Sequence, residues 1–396
     1  MKPQEHFTRN LLLPELNLTH VRSLTPSSTL ISATKSILGA VCPKCATLSL
    51  ARYDRRFVKL KDAPIHGRKI TLQVLKHRYY CKRCKRPFTE PLPGVLPGQR
   101  TTQRLKRNIY WACENFTDLK RVCRAYRVSP SFVYRAYYEQ LDLRSRRRNR
   151  YPFGSWIGID EHVFGRKKTL GKREFVTMIV DHNKKKLFDV TLGKSHSELW
   201  SQLEKTPGRE NVKLVSLDLS DSYKSFVKGF FPNAEMVADR FHVQRLMNPI
   251  LHEARIEITG DKRKNPARVL LNKNRCNLKP WERAALDTWL SHHPKVKEVY
   301  DFKEALARFY RVRGLKRAEI ILDRLLGELS HTQNKLLKTF RTTLTRWKTE
   351  ILNFFKYRLT NARVEGFNNV AKVIKRRAYG FKSFENYKLR LLNACS

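Results

Sequence analysis

The sequence predicts a mixed α/β core that is interrupted by an all-α segment and preceded by two small units. Residues 151–245 place three short apolar strands before a helix, a strand, a helix and a strand. Residues 246–357 show almost only helical periodicity. Residues 41–95 contain two cysteine pairs, and three short helical segments follow them. A chain of 396 residues has room for roughly two to four such units.

The strands of the predicted core are short β-rich runs, and its first helix begins at a capping residue, Ser195. After the helical segment, residues 358–396 return to a basic helix with apolar residues at helical spacing. The predicted strands span residues 156–160, 175–181, 187–192, 212–218 and 234–239, and the helices span residues 195–203 and 223–231.

The two leading units are delimited by turn and capping residues. Residues 70–80 are typical of a strand, and a Pro/Gly stretch at residues 91–98 closes the first unit. Residues 1–40 are weakly patterned, and we expect an arm with no assignable function. The predicted helices of the second unit span residues 101–115, 117–126 and 130–141, with Thr117 and Ser129 as N-caps and Pro130 at a first helical position.

The net charge of the chain indicates a polyanionic partner. Lys and Arg number 81 against 35 Asp and Glu, a formal charge of +46. Nucleic acid is expected, because each phosphate neutralised by Lys or Arg releases counterions. A ribosomal or chromatin-like binder would share this charge, so composition alone does not indicate an enzyme. No apolar run approaches the roughly 20 residues that span a bilayer, and residues 1–13 lack a signal-peptide layout. We therefore expect a cytoplasmic, nucleoid-associated protein.

Two CxxC motifs predict a structural zinc site. Each motif supplies two thiolates from a tight turn, and tetrahedral zinc takes four such ligands. The alternative is four unrelated structural or free cysteines, and His66 or His77 could replace one ligand. The predicted ligands are Cys42, Cys45, Cys81 and Cys84.

The helices at residues 117–141 predict a helix-turn-helix that reads DNA. Its second helix would turn Ser129, Ser131, Tyr134 and Arg135 toward the major groove. Three-helix units without DNA contact are also common, so this interpretation depends on the neighbouring cysteine unit and basic linker. The linker at residues 144–150 offers three further candidate DNA contacts, Arg146, Arg147 and Arg148.

Two predicted strands end in a carboxylate, Asp160 and Asp218. On neighbouring strands these groups would lie close together, and like charges at short distance need a counter-cation such as Mg²⁺ or Mn²⁺. A third acid, Glu365, lies in a segment dense with Arg and Lys. The alternative is that these are ordinary strand-end or surface acids, and spacing alone favours it for any single residue.

Four segments resemble the ISL-three family of insertion-sequence transposases, which belong to the DDE superfamily. They are GIDE at residues 158–161, SLDLS at 216–220, ADRFHV at 238–243 and NARVEGFN at 361–368, the last continuing through IKRRAYGF. The zinc unit and its hairpin are also similar to the family's N-terminal finger. The resemblance covers roughly residues 40–392.

The resemblance implies a ribonuclease-H-like core in which Asp160, Asp218 and Glu365 are catalytic and hold two Mg²⁺ or Mn²⁺ ions. It also implies supporting roles for Asp239 and His242, for which a polar strand-end pair is the alternative. Ala362 stands where the family usually has Gly, which would stiffen the loop before the Glu helix.

The implied organisation is an arm, a zinc finger, a helix-turn-helix and a catalytic core split by a helical insertion. The respective residues are 1–40, 41–95, 100–143, then 151–245 and 358–396 for the core, and 246–357 for the insertion.

The implied function is binding of terminal inverted repeats, two-metal hydrolysis that frees a 3′-hydroxyl, and strand transfer into target DNA by a homodimeric synaptic complex. Basic residues on or just after the Glu helix would contact DNA, although a solvated helix face is the alternative. They are Lys372, Lys375, Arg376, Arg377 and Lys382. Two other functions stay open: a domesticated DNA-binding regulator without catalysis, and a metal-dependent nuclease without joining activity.

Overall fold

The computed structural model describes residues 16–35, 38–92, 94–115, 119–148, 151–166, 173–261 and 266–396. The chain divides into two compact units, Met1–Arg146 and Arg147–Ser396, which are described separately. Within the described ranges, no helix combines the length and apolar character that crossing a bilayer requires.

The first unit is built on a five-stranded sheet in which β1, β2, β6 and β5 are neighbours in that order, and β7 pairs with β6. A separate pair of very short strands, β3 and β4, carries the first CxxC turn. The strands are β1 (Leu16–Thr25), β2 (Ser28–Lys35), β3 (Ala40–Val41), β4 (Leu48–Ser49), β5 (Arg52–Ile65), β6 (Arg68–Cys81) and β7 (Arg86–Thr89).

The expectation of an arm at residues 1–40 is wrong for the part that the structure describes. β1 and β2 form an antiparallel hairpin, and β2 then pairs in parallel with β6. Thr29, Ile31 and Ala33 alternate into the core of this sheet. The Ser/Thr-rich composition hides this period of two, and the pairing partner is distant in sequence. The first 15 residues of the predicted arm lie outside the described residues.

The described part of the first unit also contains three helices: α1 (Gln103–Asn115), α2 (Leu119–Tyr126) and α3 (Pro130–Arg148). The predicted cap Thr117 lies outside the described residues. α3 continues well past the predicted end at residue 141, so most of the expected basic linker is helical. Arg144 explains part of this extension, because its guanidinium lies 4.1 Å from the ring centre of Tyr110 and donates a 2.6 Å hydrogen bond to the Tyr110 hydroxyl.

The second unit contains a five-stranded mixed sheet with the order β10-β9-β8-β11-β12. β8, β9 and β10 are antiparallel, whereas β11 runs parallel to both β8 and β12. The strands are β8 (Trp156–Arg166), β9 (Arg173–Asp181), β10 (Lys186–Leu192), β11 (Leu214–Leu217) and β12 (Glu235–Ala238).

Twelve helices of the second unit lie in its described part, and they cover both faces of the sheet. One face shares a continuous hydrophobic cluster with α4, α5 and the helical segment at residues 240–357, and the other packs against α14 and α15. The helices are α4 (His196–Leu203), α5 (Asp221–Phe230), α6 (Arg240–Arg245), α7 (Met247–Thr259), α8 (Pro266–Asn272), α9 (Pro280–Ser291), α10 (Pro294–Phe309), α11 (Leu315–Glu328), α12 (Lys335–Arg346), α13 (Lys348–Tyr357), α14 (Ala362–Arg377) and α15 (Phe384–Ala394).

Candidate active site and zinc centre

Two aspartates lie side by side at one edge of the second sheet. β8 and β11 pair Gly158 with Ser216 in parallel register, which places Asp160 and Asp218, each two residues further on, next to each other. The ligand atoms of Asp160, Asp218 and His242 all lie within 4.8 Å of one another. α6 carries His242 and follows β12 almost directly. We call these three residues the acid site.

Asp160 does not end its strand, contrary to the sequence-based expectation. β8 continues to Arg166 because its second half pairs with β9, with Asp160 opposite Met178. Asp218 follows β11 directly, as expected. The acid site therefore lies where the parallel pairing of β8 ends and its antiparallel pairing continues.

The surroundings of the acid site disfavour negative charge. Burial, with the nearby charges of Glu161 and Asp160, raises the pKa of Asp218 to about 7. Burial also raises the pKa of Asp160. A hydrogen bond with Asp239 raises the pKa of His242 against the opposing effect of burial. Oδ1 of Asp218 is buried and has no hydrogen-bond partner among the described residues. A divalent cation held by oxygen ligands would satisfy this atom and offset the repulsion.

Glu365 is not part of this group. It is exposed in the first turn of α14, whereas Asn368, one turn later on the same side of the helix, is buried and donates a 2.9 Å hydrogen bond to Oδ2 of Asp160. The structure thus brings two of the three predicted acids together. It also adds Asn368, which sequence reasoning missed although it lies within the quoted NARVEGFN segment.

Asn361 fastens the start of α14 to the sheet. Its amide Nδ2 donates to the backbone carbonyl of Ile159 (2.9 Å), and its Oδ1 accepts from the hydroxyl of Ser216 (2.7 Å). Its backbone N–H donates to Oδ1 of Asp239 (3.2 Å). Ala362 is the first residue of α14 and is exposed, so no flexible glycine loop precedes the helix at this position.

Gly158 allows α14 to approach β8 closely. A Cβ atom on this glycine would lie 2.5 Å from Nε2 of His182, 2.6 Å from a methyl group of Val364 and 2.9 Å from Oδ1 of Asn361. Real Cβ atoms do not make such contacts, so a larger residue would force the helix or the buried polar groups to shift.

A chain of hydrogen bonds through Asn368, His162 and Tyr387 orients the carboxylate of Asp160. Asn368 donates to Asp160, and its Oδ1 lies 3.0 Å from Nδ1 of His162. Nε2 of His162 contacts the hydroxyl of Tyr387 on α15. Burial lowers the pKa of His162 to about 4, so the ring is neutral and can donate from one nitrogen while accepting at the other. Such second-layer contacts fix the direction of a metal-binding carboxylate.

In the first unit, four thiols converge from two turns. The Sγ atoms of Cys42, Cys45, Cys81 and Cys84 all lie within 4.8 Å of one another. Hydrogen bonds from Thr47 lower the pKa of Cys45 to about 6, whereas the hydrogen bond with Cys45 raises the pKa of Cys84 to about 12, so the proton is shared unevenly within the group. His66 and His77 lie outside this group, and His77 instead contacts Glu90. The donor set is that of a tetrahedral zinc site.

Comparison with known protein families identifies the chain. A family model of the ISL3 type of DDE transposases, described as "Transposase", matches residues 157–391. A second model, described as "zinc-finger of transposase IS204/IS1001/IS1096/IS1165", matches residues 39–84. The chain belongs to the ISL3 transposase family.

One relative is similar to this chain over most of its length, and another over a short segment. The transposase for insertion sequence element IS1001 from Bordetella parapertussis is 26% identical over 369 residues, which cover 89% of this chain and 87% of the relative. A protein named ATP-dependent protease from Lactococcus lactis subsp. lactis is 40% identical over 55 residues, 14% of this chain and 18% of the relative. The second match is too short to carry an activity over to this transposase.

Three candidate DNA contacts of this transposase, Ser131, Tyr134 and Arg135, lie on one exposed side of α3, and Ser129 precedes the helix. Ser129, Ser131, Tyr134 and Arg135 are all exposed, and the Ser129 hydroxyl caps α3 by accepting from the backbone of Phe132 at 3.3 Å. The opposite face supplies the buried contacts, namely Val133, Ala136, Tyr137 and Leu141.

The remaining basic candidates differ in their surroundings. Arg146 is exposed and forms a 2.9 Å ion pair with Asp142. Arg147 and Arg148 belong to α3, but their side chains lie outside the described part of the chain. Lys375 donates a 2.6 Å hydrogen bond to the backbone carbonyl of Val163, so it supports α14. Two further arginines at the end of α14, Arg376 and Arg377, are exposed.

Replacing one thiol of the cluster will remove zinc. We expect Cys45→Ser to lose most of the metal and to unfold the zinc unit, because the binding energy of structural zinc, about 10–16 kcal/mol in small zinc domains, is largely folding energy. Elemental analysis of the purified chain measures this directly. Cys276→Ser is the control, because Cys276 is exposed and outside the cluster; equal zinc in both variants would contradict the assignment.

Neutralising Asp218 will stabilise the metal-free protein. A carboxyl whose folded pKa is raised contributes stability that is fully present below its unfolded pKa and is lost progressively as the pH rises through the folded pKa of about 7. In EDTA at pH 8, we expect Asp218→Asn to raise the melting temperature by several degrees. One pKa unit is about 1.4 kcal/mol, and 1 kcal/mol corresponds to about 2–4 °C for a domain of this size.

The same gain in melting temperature should disappear near pH 4, where the Asp218 carboxyl of the folded wild type is protonated and as neutral as the amide of the variant. Mn²⁺ should raise the melting temperature of the wild type but not that of Asp218→Asn. Asp301→Asn, on the exposed side of α10, serves as the control. A variant that melts below the wild type in EDTA at pH 8 would show that the Asp218 charge is compensated.

Adding a methyl group at position 158 will disturb the acid site. We expect Gly158→Ala to cost about 1–3 kcal/mol of stability, as overpacking in a well-packed core does. Gly165→Ala on the same strand is the matched control, because no atom lies within 4 Å of its Cβ position. Chemical denaturation measures both variants, and equal stability would rule out the close approach of α14.

Proposed function

We propose that this transposase cleaves and joins DNA by two-metal chemistry at the acid site. The observation that carries the proposal is the convergence of Asp160, Asp218 and His242 within 4.8 Å in a setting that raises the pKa of both carboxyls. Two buried like charges at this distance are costly unless a cation is bound between them.

The topology of the second sheet supports a ribonuclease-H-like core. Three antiparallel strands are followed by two parallel strands on the other side of β8, in the order β10-β9-β8-β11-β12. Asp160 lies on the central strand and Asp218 follows its parallel neighbour. This arrangement brings both carboxylates to the same edge of the sheet, which is where the DNA backbone would have to approach for the proposed reaction.

Asp160, Asp218 and Glu365 would hold two Mg²⁺ or Mn²⁺ ions, which would activate the attacking oxygen and stabilise the leaving oxygen. Glu365 would supply the third carboxylate from α14, and its exposed side chain has to turn toward Asp160 for that role. Asn368 holds Oδ2 of Asp160 in place. Asp239 supports His242 through the 3.2 Å contact with its Nδ1.

The reaction has two steps at this site. In the first, water attacks the phosphorus at the transposon end, the bond to the 3′ oxygen breaks, and a 3′-hydroxyl is released. In the second, that hydroxyl attacks a target phosphodiester, whose own 3′ oxygen leaves. No covalent bond between protein and DNA is required, so no Ser, Tyr or Cys nucleophile is assigned.

The first unit would recognise the DNA ends. The exposed side of α3 with Ser131, Tyr134 and Arg135, preceded by Ser129, suits the second helix of a helix-turn-helix. The zinc unit would hold α3 in position on the terminal inverted repeats. Arg376 and Arg377 would contact phosphates near the acid site. Because two ends must be cut and joined, we propose a homodimer in the synaptic complex.

Cleavage and strand transfer test the proposal. Labelled duplexes from the DNA that flanks the gene are incubated with Mg²⁺ or Mn²⁺ and an unlabelled target. We expect Asp218→Asn and Glu365→Gln to lose at least about a hundredfold in rate, because the metal site supplies several kcal/mol to the transition state. Both should still bind DNA, and Asp301→Asn should behave like the wild type.

Each failure has a distinct meaning. Specific binding of these ends without cleavage by the wild type would favour a DNA-binding regulator. Cleavage without joined products would favour a nuclease. Full activity in Asp218→Asn would place the active site elsewhere.

A further inference from the structure

A cleft of about 220 Å³ lies in the second unit, and one of its lining residues, Phe241, precedes His242 of the acid site in the chain. α6, α7 and α10 form its walls together with the residues around the end of α8. We call it the amide cleft, because four of its lining side chains are primary amides. The residues used below are Phe241, Gln244, Asn248, Asn272, Asn274 and Lys303.

The four amides of the cleft make no hydrogen bond to any other described residue. Elsewhere in the same unit, amide side chains are used internally; Gln202 bonds the backbone of Leu192, and Asn353 donates to the carbonyl of Met236. An amide offers both a donor pair and an acceptor. The four amides of the cleft therefore offer hydrogen-bond donors and acceptors to a ligand that itself carries acceptors and donors along one edge.

Phe241 joins the cleft to the acid site. Its ring is 47% exposed, which is unusual for Phe, and its centre lies 5.9 Å from that of the His242 ring. Phe241 and His242 are consecutive residues of α6, so the same short helix contributes one residue to the amide cleft and the next to the acid site. A group held against Phe241 would lie next to whatever occupies the acid site.

The cleft is also lined by a buried lysine that is paired within the fold. Lys303 is almost fully buried, and its ammonium group donates to the backbone carbonyl of Lys273 (2.6 Å) and to Glu304 (3.1 Å). Arg245 stands exposed at the edge. The volume is below the roughly 300–1,000 Å³ of pockets for larger ligands, so the cleft suits one planar, polar ring system.

We propose that the amide cleft receives a single unstacked nucleobase of the DNA strand that occupies the acid site. Phe241 stacks on the base, the amides bond its edge, and Arg245 faces the adjoining phosphate. This inference rests on the proposed function, because it takes DNA as the molecule at the acid site. It adds a base-holding site to the metal chemistry.

Binding to bulged DNA tests the inference without catalysis. Three labelled duplexes of one sequence are compared in EDTA: fully paired, with one bulged 2-aminopurine, and with one bulged abasic site. We expect the wild type to bind the 2-aminopurine bulge about tenfold more tightly than the abasic bulge, as one stacked base contributes. Phe241→Ala and Asn248→Ala should reduce this ratio to about one, with unchanged affinity for the paired duplex.

Trp281→Ala is the matched control, because Trp281 is an exposed aromatic residue on α9 that does not line the cleft. It should keep the tenfold ratio. Equal binding of both bulges by the wild type, or equal losses in Phe241→Ala and Trp281→Ala, would overturn the inference. Competition by dAMP as effective as that by the bulged duplex would overturn the DNA strand as the source of the base.

The outcome is independent of the metal chemistry. A wild type that cleaves DNA but shows no preference for the base-containing bulge would refute the cleft and leave the proposed function intact. A wild type that prefers this bulge but never cleaves would refute the metal chemistry and leave the cleft.

Discussion

The contact between the start of α14 and β8 is the constraint on which the acid site depends. Asn361 bonds the backbone of β8, the Ser216 hydroxyl on β11 and the carboxylate of Asp239 after β12, so one side chain and its own N–H link three neighbouring strands to one helix. The absence of a side chain at Gly158 leaves room for this approach. When α14 is packed against β8 in this way, Asn368 can donate its hydrogen bond to Asp160, and the direction of the Asp160 carboxylate is fixed.

The acid site is locally negative in a chain whose formal charge is +46. Among the charged groups that act most strongly on Asp218, Glu161 and Asp160 raise its pKa, and the more weakly acting His242 and Lys194 lower it. The positive charge of the chain therefore compensates these carboxylates little, and such a pair favours a bound cation.

Features of the site that depend on a few consecutive residues could be predicted from the sequence. The two CxxC motifs, the apolar run before Asp218 and the Asp239/His242 spacing each appear within a few residues, and the structure brings the corresponding side chains together. Contacts between segments that are distant in the sequence could not be predicted in this way. The pairing of β2 with β6 and the contact of Asn368 with Asp160 depend on register and helix seating, which no short motif encodes. The inward role of Glu365 stays a prediction.

The hydrogen-bond chain that ends at Tyr387 ties the direction of Asp160 to α15 through Asn368 and His162. A substitution on α15 that displaces the Tyr387 hydroxyl would therefore act on Asp160 through two intermediate side chains. Residues of α15 contribute in this way to the orientation of the acid site, although none of them belongs to it.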